Sequence, residues 1–167
     1  MNKALYLGLG SNEGDRQGYI RQAVALLQKR WNTPCEALSN FHETEPWGLW
    51  NGDAAPFLNA VARFRVPEDF LRREAGSLRD DQALFLLSCC KAVERELGRE
   101  ETLEVDEAGR RIYHPRTIDI DLLLWGEETV DLPTLRIPHP LMAERDFVLK
   151  PLSEVAEPEL KIRLFLP

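Results

Sequence analysis

Cysteine is scarce in this 167-residue chain, with only Cys35 and the adjacent Cys89 and Cys90. An odd count without paired short spacings excludes a disulfide framework and a zinc ribbon, so reduced and mostly buried thiols are expected. Long apolar runs are missing too. The longest mostly apolar stretch, residues 83–90, falls far short of the roughly 20 residues that cross a bilayer. The opening MNKALYLGLGSN lacks a cleavable signal pattern, so no membrane partner is expected and a cytoplasmic location is. Positive charge is in deficit: 21 Lys and Arg stand against 28 Asp and Glu, a net charge of −7. This excludes a broadly basic nucleic-acid surface and leaves any phosphate recognition to a local cluster. Repeats and low-complexity tracts are absent.

With 44% hydrophobic residues, the chain can fill one core, and a single domain over residues 1–167 is expected. KALYLGLGSN begins with alternating apolar residues and breaks at Gly8, Gly10, Ser11 and Asn12, the pattern of a strand entering a loop. Asp15 is placed to cap a helix whose Ile20, Ala23, Leu27 and Trp31 follow helical spacing. A strand is expected over residues 35–42, ended by a loop with Pro46, Gly48, Gly52 and Pro56. In FLNAVARFRV, Leu58, Ala60, Ala62 and Phe64 alternate with Asn59, Val61, Arg63 and Arg65, the period of another strand. Pro67 opens a helix that stops at Gly76, and a longer helix over DQALFLLSCCKAVEREL stops at Gly98. The charged segment REETLEVDEAGRR reads as a surface loop or short hairpin. After the turn GEET, prolines restrict the remainder to short elements. The order βαββααβ favours an α+β fold, a mostly antiparallel sheet with helices packed on it.

HPRTIDIDLLLW, residues 114–125, holds the chemistry. With a period of two, Ile118, Ile120, Leu122 and Leu124 share a core face, while Thr117, Asp119, Asp121, Leu123 and Trp125 share the other. Two aspartates so placed repel unless a cation or guanidinium lies between them. Two explanations fit. One is an ion pair with surrounding arginines, among Arg99, Arg110, Arg111 and Arg116; the other is a magnesium site whose carboxylates hold the metal against substrate phosphates. Arg116 adds the guanidinium that phosphoryl transfer uses beside its metal. Carboxylates at this spacing suit two magnesium ions about 3.5–4 Å apart. Other motifs fail on spacing: Gly8, Gly10 and Gly14 miss the dinucleotide pattern, no P-loop lysine signature occurs, and His42 and Glu43 lack the second histidine of a zinc protease.

Several separated stretches occur together and in order: GSN at residues 10–12, FLNA at 57–60, ELGR at 96–99, PRTIDIDLLLWG from Pro115 and IPHPLMAERDFVLKPL from Ile137. In this the chain, over residues 3–156, resembles the 6-hydroxymethyl-7,8-dihydropterin pyrophosphokinase family. The resemblance implies a ferredoxin-like α+β fold and transfer of pyrophosphate from ATP, the co-substrate, to the pterin hydroxymethyl group in folate biosynthesis, releasing AMP. It implies that Asp119 and Asp121 hold two magnesium ions and that Arg116 and Arg99 neutralise the polyphosphate. Lys91, Glu94, His139 and Arg145 then lie on the ATP side. Thr44, Pro46, Asn59 and Phe147 form the pterin pocket, Phe147 by stacking and Asn59 by hydrogen bonding. The residue types agree, since a flat heterocycle with polar edges suits an aromatic face and an amide. Core packing for Phe147 and a satisfied strand amide for Asn59 are the structural readings of the same residues. The implied partners are small molecules acting on a monomer, without nucleic acid or membrane.

The chain also departs from the family pattern. The segment 67–98 and the loop 99–116 are longer, His114 stands where glycine is usual, Tyr113 where tryptophan is common, and Pro140 where tyrosine is common. In the longer loop, Arg110, Arg111 or both are expected to turn toward phosphate, while Glu100, Glu101, Glu104, Asp106 and Glu107 face solvent. Two rival readings are a non-catalytic pterin or nucleotide binder of the same family and an RNA-binding module on a ferredoxin-like sheet. The second lacks the aromatic platforms and basic face it needs.

Overall fold

The computed structural model describes residues 2–46, 49–50, 55–99 and 104–167. Gly48, Gly52, Glu100 and Glu101, expected in loops, lie outside the described residues. In chain order the elements are β1 (Leu5–Ser11), α1 (Arg16–Trp31), β2 (Ala37–Leu38), β3 (His42–Thr44), β4 (Leu49–Trp50), β5 (Phe57–Phe64), α2 (Glu68–Ala75) and α3 (Arg79–Glu96). There follow β6 (Glu104–Val105), β7 (Arg111–Tyr113), β8 (Asp119–Trp125), β9 (Val130–Leu132), β10 (Leu135–Ile137), a 3-10 turn (Met142–Glu144), α4 (Asp146–Val155) and α5 (Pro158–Leu164). Asp15 caps α1 as expected, its Oδ1 accepting the Gly18 N–H at 3.1 Å. Ile20, Ala23, Leu27 and Trp31 all turn inward and are buried.

The main sheet runs β2-β5-β1-β8, with β3 also on β5, and each of these pairings is antiparallel. Taking β2 and β3 as one interrupted strand, the spatial order is fourth, first, third, second, which is the ferredoxin-like arrangement. The interruption has a local cause. Ser39 accepts the Val61 N–H with its hydroxyl at 2.9 Å, where a continuing strand would use its backbone carbonyl. The strand expected over residues 35–42 is therefore split in two.

Helices cover both faces. On one, Leu5, Leu7, Leu9, Ala62, Phe64 and Ile120 pack against Ile20 and Leu27 of α1 and Leu86 and Val93 of α3. Trp31 and Phe64 meet edge to face there, with ring centroids 5.2 Å apart. On the other, Tyr6, Val61, Leu123 and Leu124 pack against Val148 and Leu152 of α4 and Leu160 of α5. The prolines limit this last region less than expected. Pro151 lies inside the ten-residue α4, where the lost N–H bond is offset by burial of its ring. Among the described residues, no helix is long and apolar enough to cross a membrane.

Two strands differ instructively from simple alternation. Central β1 continues through Gly8 and Gly10, because β5 and β8 flank it on both sides and hold those glycines in register. In β8 the register shifts: Leu7 faces Leu122, but Tyr6 faces Leu124, so Leu123 is the extra residue of a bulge. Beyond it the faces exchange. Trp125 joins the cluster of Ile118, Ile120 and Leu122, while Leu124 joins Leu123 on the opposite side. The charged segment does form a hairpin, β6 with β7, and β4 adds to β7 in parallel, linking two segments remote in sequence.

Candidate active site

The aspartate face of β8 lies over a floor without side chains. Across three strands, Asn59, Gly10 and Asp119 form one row, and Val61, Gly8 and Asp121 the next. A Cβ on Gly10 would lie 3.3 Å from Asn59 Oδ1 and 3.5 Å from the Phe57 ring. The glycines of β1 thus keep open the space between the amide and the carboxylates, as strand glycines do where another group approaches the backbone.

The carboxylates are tied to arginines. Arg99 Nη1 donates to Asp119 Oδ1 at 2.8 Å, and Arg116 Nη1 lies 3.3 Å from Asp119 Oδ2. Arg99 also pairs with Glu94. Glu94, only 1% exposed, receives the Ile120 N–H on Oε2 at 2.9 Å, and the Lys91 ammonium stands 3.3 Å from Oε1. It therefore holds the backbone between the two aspartates from the side of β8 opposite β1. Further along that side, Leu123 O accepts the His139 N–H at 2.9 Å. Burial pushes the Glu94 carboxyl up, with Arg99 pulling the other way. Asp121 is pushed up to about 7, first by burial and then by the charge of Asp119. A carboxylate so desolvated beside another is a site that a cation would relieve.

Two clefts meet at Asp121. The first is lined by Gly8, Gly10, Thr44, Phe57, Asn59, Tyr113, Arg116, Arg145 and Phe147. Within it Asn59 Nδ2 donates to Thr44 Oγ1 at 2.7 Å, and Arg145 lies over the Phe147 ring, 5.4 Å from its centroid. The second is lined by Leu87, Lys91, Ile120, Leu132, Thr134, Arg136 and His139. Burial, with Arg145 nearby, keeps the His139 imidazole below its ordinary value, favouring the neutral ring. Arg111 of β7 and Arg116, beyond the end of its hairpin, both lie over the Tyr113 ring, 4.9 and 5.3 Å from its centroid. Arg110 instead is held by Asp106, which accepts its backbone N–H and its Nε, each at 2.8 Å.

A sequence model of the 7,8-dihydro-6-hydroxymethylpterin-pyrophosphokinase family matches residues 6–157. The chain belongs to this pyrophosphokinase family. It is 41% identical over 156 residues to the 2-amino-4-hydroxy-6-hydroxymethyldihydropteridine pyrophosphokinase of Porphyromonas gingivalis, covering 91% of this chain and 90% of that one. To the enzyme of the same name from Bacillus subtilis it is 39% identical, covering 94% and 80%, and to that from Aquifex aeolicus 35%, covering 90% and 79%.

The residues singled out from the sequence fall in three places around the cleft junction of this pyrophosphokinase-family chain. Asp119, Asp121, Arg99 and Arg116 meet where the clefts join; Asn59, Thr44, Phe147 and Arg145 line the first cleft; Lys91 and His139 line the second. Glu94 lines neither cleft but lies buried at the outer side of β8, paired with Arg99 and Lys91, and Pro46 follows Glu45 at the rim of the first cleft. Sequence reasoning missed the role of Gly8 and Gly10 as the floor, although their spacing of two on one strand face was a signal. It also missed the stacking of Arg111 and Arg116 on Tyr113, for which no local pattern exists.

Proposed function

We propose that this protein transfers pyrophosphate from ATP to 6-hydroxymethyl-7,8-dihydropterin, releasing AMP, in folate biosynthesis. The observation that carries the reading is the junction at Asp121 of an amide-and-aromatic cleft with a polar one. The first cleft offers a flat heterocycle the Phe147 ring, the Asn59 amide and the Thr44 hydroxyl. The second offers a nucleotide Lys91, Arg136 and His139. Holding both substrates at the junction replaces a collision by an oriented approach, with the hydroxymethyl oxygen directed at the β-phosphorus. Arg99, Arg116 and Arg145 lie near the junction and stabilise charge as it builds on the phosphoryl oxygens.

Among the described residues, no three His, Cys, Asp or Glu side chains are grouped to cage a metal. Two hard carboxylates on one face, one of them desolvated, fit magnesium ions that take their remaining ligands from substrate phosphates and water. Asp119 and Asp121 are the residues that would hold two such ions, which would neutralise polyphosphate charge and polarise the transferred group. The test is AMP release from ATP in magnesium buffer, with and without the pterin. Pterin-dependent AMP formed in step with the diphosphorylated pterin is expected. Binding of both ligands without AMP would support the non-catalytic alternative.

A further inference from the structure

Asn12, in the GSN stretch, lines neither cleft and yet is only 3% exposed. Its Oδ1 accepts the Arg116 N–H at 2.8 Å, and its own N–H donates to Arg116 O at 3.1 Å. Its Nδ2 donates to Ala55 O at 3.2 Å. One side chain thus joins the segment entering β5, whose Phe57 and Asn59 line the first cleft, to the backbone of the arginine on Asp119. Both are fastened at the end of β1, directly after Ser11. A primary amide can accept from one segment while donating to the other; a carboxylate can only accept, and an alkyl chain can do neither. Arg16 provides a natural contrast. Its guanidinium donates to Pro56 O at 2.9 Å and to Glu43 at 3.0 Å, so it braces the same entry to β5 without touching Arg116.

We infer that Asn12 is a positioning residue that fixes the pterin wall and the phosphate arginine relative to each other. The inference rests on the pyrophosphokinase reading above. Asn12 touches no substrate; it sets the separation at which the two bound substrates meet. A small displacement between reacting groups costs rate far more than it costs the binding of either partner, with about 100-fold typical of a 1 Å error.

The test compares Asn12→Ala, Asn12→Asp and Arg16→Ala, with rates expressed per folded molecule. Asn12→Ala is expected to lower kcat at least tenfold, while the Kd of ATP and the Kd of pterin, each measured alone, change less than threefold. Asn12→Asp keeps the acceptor for the Arg116 N–H and loses the donor to Ala55, so it should recover part of the lost kcat. Arg16→Ala should weaken pterin binding and spare kcat at saturation. Amide hydrogen exchange in the ligand-free protein is a readout independent of turnover: in Asn12→Ala, exchange at Arg116 and at Phe57 should accelerate together. The inference is overturned if Asn12→Ala keeps kcat within twofold, if it weakens both substrates in proportion to the lost rate, or if only one amide changes. A wild-type protein that forms no AMP would overturn the pyrophosphokinase reading, and the paired exchange would then judge the joint made by Asn12 by itself.

Discussion

Asp121 is the residue at which stability and the proposed function oppose each other. Its carboxyl moves from 3.8 to about 7 on folding, because burial and the charge of Asp119 penalise ionisation. Between those values the folded protein holds a proton that the unfolded chain has released, so stability falls as pH rises. The contribution is fully present below 3.8 and lost as pH climbs through about 7. Asp121→Asn removes the titration. In the absence of divalent cations, the variant should outlast the wild type at pH 8 by more than about 1 kcal/mol, or roughly 2–4 °C in Tm. The difference should shrink toward pH 4, and AMP release should vanish. Parallel melting profiles for the two proteins across that range would refute this account of the charge. Sequence alone exposed the unfavourable pairing of Asp119 with Asp121, because a period of two places both on one face. It did not show Glu94 as the anchor of Ile120 N–H, since the contact joins a helix to a strand through a side chain and leaves no periodic trace.

At the scale of elements, the longer loop resolves into a hairpin with a clear division of labour. Asp106 closes its turn by accepting from Ala108 N, Arg110 N and Arg110 Nε. Arg110 is therefore spent on the turn, whereas Arg111 lies on Tyr113 beside Arg116. Arg111→Ala should lower kcat about tenfold, equivalent to roughly 1.4 kcal/mol of transition-state stabilisation. Arg110→Ala should change it less than twofold, and steady-state kinetics on the two single variants separates them. Equal losses would show that the turn, and not the stacked guanidinium, supports turnover. This division was not legible in the sequence, where both arginines are adjacent and equally near the aspartates. The α1 helix was legible in full, from the Asp15 cap to Trp31, because its spacing is local. The β8 faces were legible only up to Leu122: the bulge arises from pairing with β1, a partner more than a hundred residues away. The split of β2 from β3 was hidden likewise in a single hydroxyl, that of Ser39.

For the molecule as a whole, a net charge of −7 sets a condition on binding a polyanion. The local excess of arginine near the junction offsets this only in part, because Asp119 already engages Arg99 and Arg116. ATP should therefore bind well only with a divalent cation. A ligand that binds the folded state alone, at about 100 times its Kd, adds about 2.7 kcal/mol, or roughly 5–10 °C at this chain length. ATP with magnesium should produce a shift of this size in a thermal melt, and the same ATP with a chelator should produce much less. Equal shifts would remove the metal from nucleotide recognition.

The strand that bears the aspartates is the outermost of its sheet, and such a strand ordinarily offers its free amides and carbonyls as a template to any extended chain. Here Glu94 occupies the Ile120 N–H and His139 the Leu123 carbonyl, so two of the rungs a visiting strand would need are already taken. A buried charge across that margin makes docking there more costly still. The same carboxylate that steadies the backbone between the aspartates thus also makes this margin a poor template for edge-to-edge joining with a second chain.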